Sequence, residues 1–210
     1  MDAWRLRLYL VADPDLVDGE LTSVVSSAIA GGVTCVQLRV KSGSDRAFER
    51  LGIEIADLCR ERATMFLVND RLDIAMASGA DGVHLGVDDL SIEAARRAGG
   101  RGMVIGYSPE TDEQAAVAAY RGADYLGVGP IYGTASKADA GDPIGVQTLG
   151  RQARLSGLPT IGIGGITAAN AADALTTGAR GVAVMSAILG SSDPESAARA
   201  LASAMDARST

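Results

Sequence analysis

Residues 159–188 read PTIGIGGITAANAADALTTGARGVAVMSAI, and two short runs within them, 160–163 and 181–184, decide the fold. Each run is strand-like and stops in small residues that lead into a helical pattern. Glycines at 162, 164 and 165 keep side chains out of the way, so an anion can approach the backbone closely. A strand ending in glycine before a helix aims free N–H groups outward, with the positive end of the helix dipole behind them. Two such ends in succession predict a phosphate site in the last quarter of a barrel, in preference to two tight turns without a ligand.

The same unit recurs along the rest of the chain. Strand-like runs lie at 6–12, 33–38, 65–68, 82–85, 103–107 and 125–128. Between them, Leu21, Val24, Val25 and Ala28 keep helical spacing up to Gly31-Gly32. Phe48, Leu51, Ile55 and Leu58 mark a second helix with Ser44 as its candidate cap. Further helices are predicted over 72–77, 91–98, an alanine-rich stretch to Tyr120, and 146–155. A last one covers 195–205, entered through Ser192-Asp193-Pro194-Glu195 as a Ser-x-x-Glu capping box. Eight alternations in 210 residues, about 26 per unit, predict a single-domain (β/α)8 TIM barrel over 1–210. A short recurrence agrees: Gly79-Ala80-Asp81, Gly122-Ala123-Asp124 and Gly178-Ala179-Arg180 each close a helix and re-enter a strand. An open doubly wound sheet would place its glycine fingerprint after the first strand, where this chain has Ala12-Asp13-Pro14.

Composition narrows the function classes. A net charge of −7 and 4% aromatic residues argue against nucleic-acid binding. No apolar run approaches the ~20 residues that cross a bilayer. Met1-Asp2-Ala3-Trp4-Arg5 runs directly into a strand pattern, so no cleaved signal is expected and the cytoplasm is the expected compartment. Cys35 and Cys59 lack metal-ligand spacing and read as reduced core residues. Homo-oligomerisation is left open.

In a barrel, chemistry sits at the C-terminal strand ends. The second strand closes Gln37-Leu38-Arg39-Val40-Lys41; alternation puts Gln37, Arg39 and Lys41 on one face, with Leu38 and Val40 toward the helices. That trio suits an anion, Arg39 by its fork and Lys41 as a point charge, with an exposed rim of salt bridges as the alternative. The third and fourth strands are followed by Asn69-Asp70 and Asp88-Asp89. Acids after two neighbouring strands suit Mg2+, held by one or two carboxylates and completed by phosphate oxygens. Taken singly each Asp reads as a helix cap, Asp89 especially. His84, the one histidine, lies in an apolar strand and reads as a hydrogen-bonded core residue. The fifth strand ends at Ser108. The connection 129–145 carries Tyr132-Gly133-Thr134-Ala135-Ser136-Lys137, a candidate lid whose hydroxyls and ammonium suit an oxyanion, or else a polar surface loop. Two anion sites, one basic and one built of backbone, would serve transfer of a group from a diphosphate to a phosphorylated acceptor.

Taken together, Gln37-Leu38-Arg39-x-Lys41, Asn69-Asp70, Val83-His84-Leu85-Gly86 with Asp89, Gly106-x-Ser108, Gly129-Pro130-Ile131-Tyr132 with Thr134 and Lys137, Gly162-Ile163-Gly164-Gly165-Ile166 and Val184-Met185-Ser186-Ala187 resemble the thiamine phosphate synthase family. The likeness runs in order over residues 8–190. It implies condensation of 4-amino-5-hydroxymethyl-2-methylpyrimidine diphosphate with a thiazole phosphate, releasing pyrophosphate. By the same resemblance, Gln37, Arg39, Lys41 and Asn69 would meet the pyrimidine diphosphate, and Asp70 and Asp89 would hold Mg2+. Ser108 and Lys137 would complete that half, with Arg39, Lys41, Ser108 and Lys137 as the catalytic set. Thr134, Ser136, Gly165, Met185 and Ser186 would grip the thiazole phosphate. The chain departs from the family at Val87 (usually Gln), Gly133 (usually Pro) and Ser136 (usually Thr). A thiazole tautomerase-like isomerase and a non-catalytic thiazole-phosphate binder are the alternatives; neither needs the diphosphate-binding set.

Overall fold

The computed structural model describes residues 2–134 and 141–206. Its strands are β1 Leu8–Ala12, β2 Cys35–Leu38, β3 Met65–Asn69, β4 Gly82–Leu85, β5 Val104–Tyr107, β6 Tyr125–Val128, β7 Thr160–Ile163 and β8 Gly181–Val184. They are parallel, pair in chain order and close, with β8 returning to β1 through Leu8↔Val182. Helices cover the outside: α1 Leu21–Ala30, α2 Asp45–Glu61, α3 Leu72–Ser78, α4 Ile92–Gly99, α5 Asp112–Arg121, α6 Gly145–Ser156, α7 Ala171–Leu175, α8 Ser186–Leu189 and α9 Pro194–Asp206. The expected eight-fold barrel is the observed one.

Alternation along each strand splits the apolar residues into two cores. Leu8, Leu10, Val36, Leu38, Phe66 and Val68 point outward into the layer shared with the helices. Tyr9, Val11, Cys35, Met65, Leu67, Tyr125 and Ile161 fill the barrel interior. Gln37 follows Cys35 on the inward face while Val40 packs outward, the arrangement predicted for the second strand end.

Local chemistry explains where elements start and stop. Ser44 caps α2 by accepting from Ala47 N (3.3 Å), and Thr111 and Gln114 form a reciprocal capping box on α5. The Gly-Ala-Asp recurrence has a second role beyond turning. Gly79 and Gly122 take the left-handed conformation past α3 and α5. The aspartates then reach sideways: Asp81 Oδ2 accepts from Phe66 N (2.8 Å) and Asp124 Oδ2 from Ile105 N (2.7 Å). Each carboxylate thus ties its own strand to the start of the preceding one. Arg180, in the third copy, keeps only the backbone bond, to Thr160 O (2.8 Å).

Three expectations are corrected. The first strand begins at Leu8 rather than residue 6, because residues Ala3–Leu6 form a 3-10 turn capped by Asp2. The last helix is not opened by a Ser192 capping box. Asp193 accepts from Ser196 N (3.0 Å) and Pro194 takes the first helical position, where its missing N–H costs nothing. A short α8 also intervenes between β8 and that helix. No helix among the described residues is long and apolar enough to cross a membrane.

Candidate active site

The predicted residues come together at the C-terminal mouth, from four neighbouring strands. β2 delivers Gln37, then Arg39 and Lys41; β3 delivers Asn69 and Asp70; the turn after β4 carries Asp89; Ser108 follows β5. Arg39 and Lys41 are both engaged in ion pairs. Arg39 Nη1 donates to Asp13, a carboxylate only 4% exposed at the end of β1. Lys41 Nζ lies 2.6 Å from Asp70 Oδ2. Asp70 itself has a left-handed backbone, φ 62°, with its N–H on His84 O (2.8 Å). Asp tolerates that conformation better than most side chains, and it turns the chain out of β3 where Lys41 waits.

Asp89 is not a helix cap. Ser91 caps α4 through Ala94 N (3.3 Å), while Asp89 folds back to accept from Gly86 N (2.7 Å). Burial raises its carboxyl above the usual range, and the neighbouring Asp70 pushes the same way, against the Gly86 N–H and Lys41. Two adjoining carboxylates that resist sharing negative charge form a hard-oxygen donor pair suited to Mg2+. Among the described residues no group of three or more His, Cys, Asp or Glu could hold a metal, so the remaining ligands would come from phosphate and water. Arg39 and Lys41 face three carboxylates, those of Asp13, Asp70 and Asp89. The donor set fits the ion.

A chain of buried polar groups runs below this rim. The Tyr9 hydroxyl donates to Gln37 Oε1 (2.5 Å), and Gln37 Nε2 donates to Asn69 Oδ1 (2.5 Å). The Tyr9 and Tyr125 hydroxyls are 3.0 Å apart, Tyr125 OH is 2.7 Å from His84 Nδ1, and His84 Nε2 is 2.8 Å from Ser108 Oγ. His84 is therefore a hydrogen-bonded core residue, as expected, and also the support of a site residue. Burial pushes its imidazole down to about 4, against a weaker upward pull from Asp70, so it is neutral at pH 7. Burial likewise raises both phenols, which keep their protons.

The opposite side of the mouth belongs to β6, β7 and β8. Ile163 pairs with Ala183, so Gly165 and Met185 leave adjacent strands at the same level. Ser186 opens α8, at the end of β8. The doubled glycine has a packing role that the sequence reading did not anticipate. A Cβ on Gly165 would fall 2.4 Å from Gly133 O, and one on Gly164 2.7 Å from Pro130 Cα. The space left by the missing side chains is filled by the base of the 129–145 connection, whose Tyr132 N donates to Gly164 O (3.0 Å). Thr134 is partly buried at the last described position before the break; Ser136 and Lys137 lie outside the described residues. Val87, one of the departures, packs against the helix-side core.

Three participants and one contact were missed. Asp13 closes β1 and was legible as a strand end, had the first strand been read as the others were. Tyr9 and Tyr125 occupy inward strand positions where a phenol looks like apolar filling, and the contact of Ser108 with His84 has no sequence signal.

Known proteins share this sequence pattern and this fold. The family model described as thiamine monophosphate synthase matches residues 8–188. A thiamine-phosphate synthase of Roseiflexus sp. (strain RS-1) is 48% identical over 192 residues, covering 90% of this chain and 81% of that protein. One from Natronomonas pharaonis is 47% identical over 204 residues, covering 95% and 94%. The solved thiamine phosphate pyrophosphorylase from Pyrococcus furiosus superposes with a TM-score of 0.89 at 35% identity, covering 98% of each chain. With the family model spanning all eight strands, and relatives near half identical over nine-tenths of the chain, the chain belongs to the thiamine monophosphate synthase family.

Proposed function

We propose that this enzyme, which as a family member joins pyrimidine and thiazole moieties into thiamine phosphate, does so by ionising the pyrimidine diphosphate before the thiazole attacks. The observation that carries this reading is the cluster of Arg39, Lys41, Asp70 and Asp89 at adjoining strand ends, across the mouth from Gly165 and Met185. The pyrimidine amino group shares positive charge with the methylene carbon as its C–O bond to pyrophosphate breaks. Arg39 and Lys41 stabilise the negative charge that grows on the leaving group. When bound by Asp70 and Asp89, Mg2+ supplies further charge neutralisation at the leaving phosphate oxygens. Lys41, paired with Asp70 in the free chain, stands at the rim where its ammonium would meet the diphosphate. Gln37 and Asn69 hold the pyrimidine, Ser108 completes its pocket, and Lys137 closes on the pyrophosphate. Thr134, Ser136, Gly165, Met185 and Ser186 hold the thiazole phosphate so that the ring nitrogen meets the carbon in line. No protein nucleophile is required.

The test is direct. Both phosphorylated substrates with Mg2+ should give thiamine phosphate, and chelation of the metal should stop turnover. Lys137→Ala should lose turnover with the fold unchanged. Product formation at the same rate without any divalent cation, or an unimpaired Lys137→Ala enzyme, overturns the assignment.

A further inference from the structure

The buried polar chain has a direction. A phenol has one proton to donate; Tyr9 gives its proton to Gln37 Oε1, so the 3.0 Å contact between the phenols is donated by Tyr125. With that proton engaged, Tyr125 can only accept from His84 at 2.7 Å, which places the imidazole proton on Nδ1. A neutral imidazole has one N–H, so Nε2 carries a lone pair and Ser108 Oγ–H donates to it at 2.8 Å. Ser108 therefore turns lone pairs, and no proton, to the mouth. At the other end, Gln37 Nε2 occupies Asn69 Oδ1, which leaves Asn69 its amide N–H groups. The geometry is built into the barrel. A Cβ at Gly106 would lie 2.3 Å from both His84 Nδ1 and Tyr125 OH, and one at Gly127 would lie 3.0 Å from His84 Cε1. Two inward glycines make room for the pair of rings.

We propose that Tyr9, Tyr125 and His84 are positioning residues whose one-way hydrogen-bond chain makes Ser108 an acceptor and Asn69 a donor toward the pyrimidine, and so selects an aminopyrimidine over its oxo counterpart. The inference rests on the reading above that the pyrimidine lies against Asn69 and Ser108. An aminopyrimidine offers the complement, an amino donor and ring-nitrogen acceptors. Its 4-oxo analogue offers the reverse, a carbonyl acceptor and a ring N–H donor, and would leave both ends of the chain mispaired.

The chain's single histidine makes the test unambiguous. Nitrogen-15 NMR of tag-free protein labelled at histidine should report the Nδ1–H tautomer at neutral pH; an Nε2–H tautomer or an imidazolium overturns the proposal. This measurement needs no variant to fold. Calorimetry with Mg2+ should then show the amino diphosphate binding on the order of 10²-fold tighter than the 4-oxo diphosphate. Tyr125→Phe frees the imidazole to reverse, and should bring that ratio within about tenfold while leaving inorganic pyrophosphate binding unchanged. A ratio preserved in folded Tyr125→Phe protein overturns the proposal. An unaltered protein that makes thiamine phosphate but shows the wrong tautomer refutes the directed chain alone. One that makes none refutes the reading of the site as well.

Discussion

Replacing Gly106 by alanine strikes the interior of the barrel at one defined bond. Gly106 is level with His84 on one side and Tyr125 on the other. An added methyl falls 2.3 Å from His84 Nδ1, from Tyr125 Cζ and from Tyr125 OH, where unstrained contacts need about 3.5–4.0 Å. Neither ring can swing clear, since Tyr125 is fully buried and His84 is 9% exposed. Forcing an extra carbon into such a core costs about 1–3 kcal/mol, and separating two buried hydrogen-bond partners costs about 1–3 kcal/mol more. A loss of roughly 4 kcal/mol in a domain of this size corresponds to a melting temperature lower by about 8–16 °C. Calorimetric melting of Gly106→Ala beside Gly102→Ala measures it. A Cβ at Gly102 meets nothing within 4 Å, so the second variant should stay within about 0.5 kcal/mol of the parent. A Gly106→Ala protein melting within about 2 °C of the parent would show that the rings are not held as described, and would remove the basis for a fixed hydrogen-bond direction.

Two further outcomes are expected. Asp13→Ala and Arg39→Ala, with the double variant, should show a coupling of about 1–3 kcal/mol in urea unfolding; additivity within about 0.5 kcal/mol would deny that this ion pair holds Arg39. His84 is held near 4 in the fold against 6.5 ordinarily, so the unfolded chain binds more protons between those values. Its contribution to stability is therefore complete above pH 6.5 and falls by about 2–3 kcal/mol on acidification to pH 4.5. Urea titrations at the two pH values should show a smaller acid loss in His84→Gln than in the parent, and equal losses would contradict the burial argument.

The barrel was legible because each strand in it is a short apolar run that a glycine-stopped helix returns to. The mouth was legible wherever alternation fixes a face, as for Gln37, Arg39 and Lys41, or where two acids follow neighbouring strands, as for Asp70 and Asp89. What escaped were partners that only closure of the sheet brings together. Tyr9 and Tyr125 are separated by most of the barrel's circumference in sequence and meet across its interior. Asp13 escaped for another reason: the end of the first strand was read only for its lack of a glycine fingerprint, so its carboxylate was not set beside Arg39 on the neighbouring strand. Capping failed at Ser192 for a smaller reason: both Ser192 and Asp193 can cap, and the fixed φ of Pro194 chose the nearer.

The seam between β8 and β1 joins opposite ends of the polypeptide. Val182 N donates to Arg7 O (3.1 Å), and the Arg7 guanidinium reaches the end of α9 at Met205 O (3.0 Å) and Asp206 Oδ1 (2.7 Å). Every other strand pairing joins neighbours in sequence and is available soon after synthesis. This last one is not. A nascent chain leaving the ribosome carries β1 with a bare hydrogen-bonding edge until β8 has emerged, and the open edge is a template for pairing with another chain. Charged side chains beside an open strand edge discourage such pairing, and Arg5 and Arg7 stand just ahead of β1, in place for the ~10–40 s that synthesis of a chain this long takes.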